Sequence, residues 1–475
     1  MSVRELSARA PLAHRTRSLS GWGRTSRSSC SVIQPHAVDE VLDALASSGG
    51  SGAGVIARGA GRSYGDAAQI NGGTVLDMTA LDRVVSIDVE NLLVRAQAGA
   101  TIAQLMARLA AYGLTLPVLP GTRHVTLAGA IASDIHGKNH HRDGSFARHV
   151  TSLSLCTPAG GLLEVTPESD PDLFYATLGG MGLTGVVVEA TVRAEPLPSP
   201  WVSADTDRTD GLEQTLQLMG GEEHRRYSVA WLDLLAPGAS MGRAVVVCAD
   251  PLPADHRAPA TRMRRTARAA YPGTLSRSPA FEVPNGFPGA LLRPSGVRAF
   301  NALHWWTAPR RERARPLALA PYFFPLDIVG SWNRLYGAGG LIQYQFVIPS
   351  GAEDALERCF ELIRARRLPV YLAVFKRFGA ASAGPLSFPL EGWTLAVDIP
   401  AAAPGLHAAL DELDELVASA GGRVYLSKDA RLGREALGAM YPELDRFHAQ
   451  RASVDPEGVL RSDLALRLGL CGAPA

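Results

Sequence analysis

This 475-residue chain lacks long apolar runs, and it lacks a net charge of one sign. No stretch approaches the roughly 18 consecutive apolar residues that a membrane-spanning helix needs. The first 30 residues contain arginines but no continuous apolar segment, which predicts a loose N-terminal tail over residues 1–10 rather than a secretory signal. The formal charge of +1 gives no overall field that attracts nucleic acid. We therefore expect no nucleic-acid partner, and a location in the cytoplasm or peripherally at the inner membrane, with the periplasmic side left open through a partner.

Cysteines are few and scattered along the chain. The five residues are odd in number and lie far apart, and no two are spaced as CxxC; they are Cys30, Cys156, Cys248, Cys359 and Cys471. This pattern excludes a disulfide framework and a thiolate metal cluster. We expect all five thiols to be reduced.

Glycine, by contrast, is abundant, with 48 residues in a chain that is 46% hydrophobic. This balance is typical of a folded protein with many tight turns, and the length suffices for roughly two or three domains of about 150 residues. From residue 35 on, short apolar strands, glycine turns and amphipathic helices alternate, which predicts a mixed helix-and-strand architecture. The predicted early elements are a helix over 36–48, strands over 54–58, 74–78 and 92–96, and a helix over 102–111 with Thr101 as its N-cap.

The pattern changes near Trp201, where longer strands and helices predict a second domain. Strands are predicted over 341–348, 370–375, 393–398 and 423–426, followed by an amphipathic tail. The stretch from His256 to Arg315 contains twelve arginines against only Glu282 and Glu312. Because no helix or strand period is evident there, we expect long surface loops.

The turn from Arg58 to Asp66, RGAGRSYGD, places three glycines and two small residues directly after a strand. Glycine adopts left-handed backbone conformations without steric cost, and it leaves backbone N–H groups accessible to an anion. Such a loop suits a pyrophosphate group. The alternative is a tight turn with a purely structural role.

A second cluster, from Pro120 to His141, is rich in small residues and then dense in titratable ones. His136, Lys138, His140 and His141 fall within six residues, which indicates a functional segment. The alternatives are a zinc site and a set of solvated polar residues. Zinc is disfavoured because adjacent histidines do not easily share one tetrahedral ion and no cysteine lies nearby, so we expect no metal.

A third cluster, from Gly179 to Gly185, contains a formal GxGxxG motif, which is also found in nicotinamide-binding proteins. That motif should open a helix after the first strand of a βαβ unit. Here residues 183–192 continue as an alternating β-rich run. The glycines are therefore predicted to form a tight turn that leads into a strand.

These three clusters, in this order, resemble the FAD domain of the vanillyl-alcohol oxidase family. Further motifs are similar to a branch of that family that oxidises polyprenylphosphoryl ribose; they are GWGR at 21–24, VLPGTR at 118–123, DIHGKNHH at 134–141, FVIP at 346–349, PLSFP at 385–389, and Tyr425 with Lys428 and Asp429. The resemblance covers nearly the whole chain after the N-terminal tail. It implies an α+β fold with two domains: a PCMH-type FAD-binding domain over 11–200, completed by a C-terminal segment over 423–475, and an antiparallel-sheet substrate domain over 201–422 with mobile loops at about 256–315.

Position by position, the resemblance also implies the residues of the site. Those expected to hold FAD are Ala57, Arg58, Gly59, Ala60, Gly61, Arg62, Ser63, Tyr64, Gly65, Asp66, Ala67, Gly121, Thr126, Leu127, Ala128, Gly129, Ser133, Asp134, Ile135, His136, Val187 and Tyr425. Those expected to act on the substrate are Lys138, Gln343, Gln345, Lys376 and Lys428, with Lys428, His136 and Tyr64 as the catalytic residues. Lys428 is expected either to serve as a base or to stabilise charge on the reduced flavin, and the sequence leaves both roles open.

The implied reaction is FAD-dependent oxidation of the 2′-hydroxyl of polyprenylphosphoryl-β-D-ribose to a ketone. In actinobacteria this is the first half of an epimerisation that makes the arabinose donor for cell-wall arabinan, and the second half implies a partner NAD(P)H-dependent keto-reductase. Covalent flavoproteins of the family carry His where this chain has Arg62, so we expect non-covalent FAD. The mycobacterial members carry Cys where this chain has Ala396, on the strand with Trp393 and Val397; hydride transfer does not require that thiol.

The arginine-rich stretch suits a phosphorylated lipid or an anionic membrane surface, so a peripheral membrane contact is expected; solvated loops are the alternative. Three other functions remain open at this point. One is an alditol or aldonolactone oxidase that uses oxygen, and another is a non-catalytic partner in a cell-wall complex. A nicotinamide-dependent dehydrogenase is the third, and it depends on the GxGxxG motif alone.

Overall fold

The computed structural model describes residues 14–48, 52–253, 279–289 and 292–471. The predicted tail over 1–10 and the part of the arginine-rich stretch over 256–278 lie outside the described residues. In the part that is described, no helix is both long and apolar enough to cross a bilayer. All five cysteines are free, as the sequence predicts.

The strands, in chain order, are β1 Arg15–Leu19, β2 Ser28–Ile33, β3 Val55–Arg58, β4 Thr74–Asp77, β5 Val84–Asp88, β6 Leu93–Gln97, β7 Leu114–Thr115, β8 Val150–Thr157, β9 Gly161–Val165, β10 Val186–Arg193, β11 Glu195–Pro196, β12 Trp201–Thr209, β13 Tyr227–Asp233, β14 Arg243–Pro251, β15 Phe281–Glu282, β16 Arg311–Ala318, β17 Val329–Gly330, β18 Leu341–Pro349, β19 Leu372–Phe378, β20 Gly392–Pro400 and β21 Arg423–Val424. The α-helices are α1 Val38–Ser48, α2 Ile102–Ala110, α3 Leu127–Ala132, α4 His140–Asp143, α5 Pro171–Thr177, α6 Leu212–Gly221, α7 Pro294–Thr307, α8 Leu319–Phe323, α9 Glu353–Ala365, α10 Leu406–Ser419, α11 Arg434–Met440, α12 Leu444–Val454 and α13 Asp463–Leu468.

The described part of the first 200 residues forms two main sheets and the short two-stranded pair β7–β11. In the four-stranded sheet, of order β1-β2-β4-β3, the last three strands are parallel. The five-stranded sheet, of order β5-β6-β10-β8-β9, is antiparallel. Helix α2 begins with a capping box between Thr101 and Gln104, and it buries Leu105, Met106 and Leu109 because apolar residues recur at helical spacing. These early elements lie where the sequence predicts them, to within two residues.

The glycines of the GxGxxG motif lead directly into β10, which lies in the middle of the antiparallel sheet. Gly179, Gly182 and Gly185 adopt positive φ angles, which explains the need for glycine in this turn. A nucleotide-binding helix does not follow, so the prediction of a tight turn into a strand is confirmed.

The second half of the chain forms an eight-stranded sheet of order β16-β12-β14-β13-β19-β20-β18-β21. Side chains alternate between its two faces. On β18, Tyr344 and Phe346 enter the hydrophobic core beneath helices α9 and α10, while Gln343 and Gln345 project to the opposite face. The predicted strands over 341–348 and 393–398 are confirmed.

The prediction of long surface loops is wrong for the described end of the arginine-rich stretch. Residues 294–307 form helix α7, and residues 311–318 form β16, which pairs with β12. The helix shows no clean period because only Val297 and Asn301 are buried in it. The strand lies at the sheet edge, where Arg313 pairs with Asp207 on β12. Neither the helix nor the edge strand can be predicted from this segment alone, because both depend on contacts with the neighbouring strands.

The last 50 residues return to the first sheets. Val55 donates its N–H to the Val459 carbonyl at 2.8 Å, and Arg461 donates to the Val55 carbonyl at 2.9 Å. Helix α13 follows directly, and its N-terminal residue Asp463 donates to the Gln69 carbonyl. The C-terminal segment therefore supports strand β3 and the glycine loop that follows it.

Candidate active site

A cavity of about 300 Å³ lies between the glycine loop, the segment before α4 and the open face of the large sheet. Most of the predicted site residues line it. Of those expected to hold FAD, the lining residues are Ala57, Gly59, Ala60, Gly61, Arg62, Ser63, Tyr64, Ala67, Gly121, Thr126, Ala128, Gly129, Ser133, Ile135, His136, Val187 and Tyr425. Of those expected to act on the substrate, the lining residues are Gln343, Gln345, Lys376 and Lys428.

The glycine loop keeps its amides accessible. Among the described residues, no protein group accepts a hydrogen bond from the N–H groups of residues 59–63, whereas Tyr64 donates to the Ser427 carbonyl at 2.9 Å. Gly61 has a φ of 63°, a conformation that favours glycine. A Cβ on Gly59 would overlap Thr126 Oγ1. The loop can therefore surround a small anionic group, and its close contact with Thr126 requires glycine.

The GWGR motif at 21–24 fixes this loop from the outside. Trp22 donates its N–H to the Ser63 carbonyl at 2.7 Å, and Gly23 donates to the Tyr64 carbonyl at 2.9 Å. The Arg62 guanidinium lies 4.0 Å from the centre of the Trp22 ring, and its Nε is buried without a protein partner. Arg62 thus directs a partly unsatisfied cation into the cavity.

His136 lies at the centre of the polar end of the cavity. Its Nδ1 is 3.2 Å from Lys376 Nζ, and its Nε2 is 3.0 Å from the side-chain nitrogen of Gln345. Its ring packs against Phe378 at 4.7 Å. Burial lowers the pKa of His136 well below its usual value, and the nearby lysines lower it further. The imidazole is therefore neutral at physiological pH, with one donating and one accepting nitrogen.

Two lysines share this end of the cavity. Burial lowers the pKa of Lys376 to about 7, and the charge of Lys428 adds to the effect. Burial also lowers the pKa of Lys428 to about 8, opposed by the charge of Asp398. Lys428 Nζ lies 4.0 Å from the centre of the Tyr64 ring, a cation–π contact. Near neutral pH, Lys376 is therefore more readily deprotonated than Lys428.

Asp398 is a site residue that the sequence analysis missed. It lies on β20 opposite Gln343, is 1% exposed, and accepts a hydrogen bond from the Gln343 amide. Burial raises its pKa to about 7, opposed by Gln343 and Lys428. One signal could have revealed it, because Asp398 lies two residues after Ala396 in a predicted strand and so shares its face.

Six of the predicted site residues do not line the cavity. Lys138 donates to the Tyr322 carbonyl, and its Nζ lies 4.0 Å from the Tyr322 ring centre. Arg58 donates to the carbonyls of Ser20 and Ala68. The other four support the site from behind: Gly65 packs on the backbone of residue 429, Asp66 pairs with Arg467, Leu127 is a core residue, and Asp134 accepts from the Ala147 amide.

The histidines at 140 and 141 point away from each other. The Gly379 amide donates to His140 Nδ1 at 3.2 Å, and His141 Nε2 lies 2.8 Å from the Arg225 carbonyl. Each ring therefore binds backbone groups of a different neighbouring segment. They join the segment after His136 to the large sheet.

Comparisons with known proteins match both halves of the chain. Residues 31–166 match the FAD binding domain family, and residues 345–468 match the D-arabinono-1,4-lactone oxidase family. Over 96% of its length the chain is 41% identical to the decaprenylphosphoryl-β-D-ribose oxidase of Mycolicibacterium smegmatis, of which it covers 98%. It is 40% identical over 75% of its length to an uncharacterized protein of Streptomyces coelicolor encoded in the mprA 5′ region, of which it covers 96%. It is 25% identical over 92% of its length to an L-gulono-1,4-lactone dehydrogenase of Mycobacterium tuberculosis, of which it covers 95%.

The residues around the cavity fit the FAD that the matched domain binds. The accessible amides of the glycine loop and the Arg62 guanidinium suit a pyrophosphate. Small residues, Gly121, Ala128 and Gly129, leave room beside them for a flat ring system. The amines of Lys376 and Lys428 lie at the other end, where they would suit a reduced flavin and a polar substrate. FAD is thus the cofactor, and the residues that would hold it extend from the glycine loop towards His136.

Proposed function

Because the chain belongs to the decaprenylphosphoryl-β-D-ribose oxidase family, we propose that it oxidises the 2′-hydroxyl of a polyprenylphosphoryl-β-D-ribose to the 2′-keto sugar, with FAD as the oxidant. One observation carries the proposal: the glycine loop and the cluster of His136, Lys376 and Lys428 open on the same cavity. A dinucleotide held by the glycine loop would therefore share the cavity with a group of polar residues that can bind and deprotonate a sugar.

The reaction removes a hydride from the carbinol carbon and a proton from its oxygen. When bound, FAD supplies the two-electron oxidant that accepts the hydride. We assign the proton to Lys376 Nζ, because its pKa of about 7 leaves a neutral amine at physiological pH. His136, whose Nδ1 lies 3.2 Å from Lys376 Nζ, holds that amine in position.

Lys428 serves as the cation of the site. Its pKa of about 8 is the higher of the two, and Asp398 stabilises its charge. A fixed positive charge at this place stabilises the negative charge that accumulates as the substrate is oxidised. When their surroundings give two titratable groups different pKa values, one commonly serves as the base and the other as the fixed charge.

The remaining polar groups position the sugar. Gln343 and Gln345 project from the same face of β18 into the cavity, and each also holds a neighbour, Asp398 and His136 respectively. Their amides are therefore fixed in orientation, and the free donors and acceptors that remain suit the hydroxyls of a pentose. The Tyr64 ring lies beneath the Lys428 ammonium and lines the cavity, so it would limit the space beside a bound flavin.

The proposed function is tested by mixing the purified FAD-loaded protein with polyprenylphosphoryl-β-D-ribose without oxygen. We expect the yellow flavin absorbance to bleach and a 2′-keto sugar to form in equal amount. An unchanged spectrum would refute the oxidase function and favour a non-catalytic cell-wall partner. We propose that the ketone is then reduced by a separate NAD(P)H-dependent keto-reductase, because net epimerisation requires a second hydride from another donor.

A second candidate is an aldonolactone or alditol oxidase, which the family match over residues 345–468 favours. It would require turnover of free lactones or sugar alcohols, with one peroxide released per product when oxygen is present. If free sugars are turned over as fast as the lipid-linked pentose, this candidate replaces the first.

We further propose that FAD is bound without a covalent link. Arg62 lies in the glycine loop and has no nucleophilic side chain at physiological pH. Precipitation of the protein with acid should release all the flavin into the supernatant. Flavin that stays in the pellet would contradict this proposal.

A further inference from the structure

Five large apolar side chains are exposed near one another in the chain between residues 281 and 328. The exposed fractions are 58% for Phe281, 55% for Phe300, 62% for Leu303, 74% for Trp306 and 62% for Ile328. Three of them, Phe300, Leu303 and Trp306, recur every three residues on helix α7 and form one apolar stripe, and exposed apolar surface of this kind marks an interaction site.

Three of the exposed apolar side chains lie on helix α7. The opposite face of this helix packs on the large sheet. Val297 and Asn301 are buried against the large sheet, and Trp305 Nε1 donates to the Thr209 carbonyl at 3.0 Å. The opposite stripe contains Leu303 and Trp306, which lie three residues apart and face solvent. This outer stripe contributes little to the packing of the helix.

The helix lies on the same face of the large sheet as the cavity. Trp231 on β13 is paired with Val374 on β19, and paired residues of antiparallel strands project to the same face. Val374 lines the cavity, while the Trp231 ring packs on His304 of α7 at 4.9 Å. The helix therefore packs over β13, the strand next to the cavity-lining strand β19.

The other exposed apolar residues flank the cavity from a second direction. Phe281 pairs with Val329 in the short β15–β17 sheet. Ile328 directly follows Leu326 and Asp327, which line the cavity. Ile328 is therefore one residue away from the cavity wall.

Unpaired positive charge accompanies this surface. Arg298 lies on α7, and Arg310 and Arg311 follow it; all three are exposed, and none has an acidic partner among the described residues. Nearby Arg313 and Arg315 are paired with acids, so the free arginines are not a uniform property of the region. Apolar side chains that include Trp, flanked by arginines, are the composition of helices that lie at the surface of an anionic bilayer.

We propose that α7 and the β15–β17 pair form a docking face for an anionic lipid bilayer. Leu303, Trp306 and Phe300 enter the headgroup region, and the free arginines bind lipid phosphates. The cavity then opens towards the membrane, so that a lipid-linked sugar enters it while its polyprenyl chain stays in the bilayer. This last consequence rests on the proposed function, whereas the docking face itself does not.

The test uses the full-length FAD-loaded protein and co-sedimentation with vesicles of phosphatidylcholine, with and without phosphatidylglycerol. We expect binding only to the anionic vesicles. The double variant Leu303→Ser/Trp306→Ser should bind at least roughly tenfold more weakly. A matched control, Val85→Ser/Leu162→Ser, removes side chains of 50% and 48% exposure from the five-stranded sheet and should bind as the wild type does.

Two further variants separate the contributions of insertion and charge. Changing Arg298, Arg310 and Arg311 together to Gln should weaken binding to anionic vesicles by roughly 100-fold at low salt, since each near-surface cation contributes about fivefold. Brominated lipids should quench the fluorescence of the wild type, and the variant Trp306→Leu should bind but lose that quenching. Because these side chains point to solvent, we expect unchanged melting temperatures.

Several outcomes would overturn the proposal. One is equal binding of the wild type and the double variant to anionic vesicles, and another is binding that ignores lipid charge. If Leu303→Ser/Trp306→Ser converts a dimer to a monomer without changing vesicle binding, the face contacts a second copy of the chain instead. Vesicle binding needs no turnover, so a failure of the proposed reaction leaves this result standing. Conversely, bleaching of the flavin by detergent-dispersed substrate does not depend on the docking face.

Discussion

Arg467 Nη2 lies 2.8 Å from Asp66 Oδ1, so a helix near the end of the chain is joined to the glycine loop near its beginning. The same guanidinium lies 2.9 Å from Asp429 Oδ2, next to Lys428 in sequence. Burial raises the pKa of Asp66, and the hydrogen bond from Arg467 opposes that rise. One arginine thus compensates two buried carboxylates and fixes the loop for the cofactor against the segment that carries Lys428.

Replacing this arginine, in Arg467→Leu, should destabilise the protein by roughly 3 kcal/mol, because it leaves two buried carboxylates without a cation. The pKa of Asp66 in the folded state, already raised by burial, then rises further above that of the unfolded chain. A raised carboxyl pKa makes the folded state bind protons more tightly, so stability is recovered as the pH falls. Unfolding midpoints should therefore fall more at pH 8 than at pH 5.

A matched control for that variant is Arg446→Leu. Arg446 also pairs with two carboxylates, Asp172 and Glu443, but its side chain is 40% exposed. Solvent screens such pairs, so we expect little change in stability at either pH. Equal losses in the two variants would contradict the special role of Arg467.

Gly59→Ala should abolish FAD retention. The new Cβ would overlap Thr126 Oγ1, the N-cap oxygen of α3, so the loop or the helix start must shift. The measurement is the ratio of flavin to protein absorbance after gel filtration. Gly438→Ala is the control, because a Cβ there meets open space on helix α11, and it should retain full flavin content. A fully loaded Gly59→Ala protein would show that this close contact is not required.

The two lysines should respond differently to arginine. Arginine keeps its positive charge but does not give up its proton at physiological pH. Lys376→Arg should therefore lower kcat/KM by about 10²–10⁴-fold, as expected for loss of a base. Lys428→Arg should retain most activity, while Lys428→Met should not. If Lys428→Arg is as inactive as Lys376→Arg, Lys428 is the base instead.

The same assignment predicts a bell-shaped pH profile of kcat/KM. Activity should rise as Lys376 loses its proton near its pKa of about 7, and fall as Lys428 loses its proton near its pKa of about 8. Asp398→Asn removes the charge that raises the pKa of Lys428, so the falling limb should move to lower pH by about one unit. Asp414→Asn, a buried carboxyl beside Tyr344 and Arg431, should leave that limb in place. A falling limb unchanged in Asp398→Asn would contradict the pairing of Asp398 with Lys428.

Local elements of the fold followed from the sequence because their signals are local. Thr101 marks the start of α2, and the strand predicted over 341–348 corresponds to β18. The glycine loop was recognised because its three glycines lie directly after a predicted strand, a local pattern that indicates an anion-binding turn. In each case the residues that determine the structure lie within one element.

Other features depend on neighbours that are distant in sequence. Residues 311–318 form an edge strand because β12, about 100 residues earlier, supplies its backbone partners. The Asp207 carboxylate on β12 also pairs with Arg313. Asp398 belongs to the site because β20 pairs with β18, which brings it opposite Gln343. Lys138 is only two residues from His136 in the sequence. Its ammonium nevertheless donates to the Tyr322 carbonyl and does not line the cavity. Periodicity within one segment contains no information on such pairings.

The return of the C-terminal segment to strand β3 has a consequence for biosynthesis. Residues 425–428 complete the cavity wall, and Arg467 secures the glycine loop to them. A nascent chain in which the first 200 residues have already emerged from the ribosome lacks both. We therefore expect flavin capture to be a late event that requires the chain through residue 467.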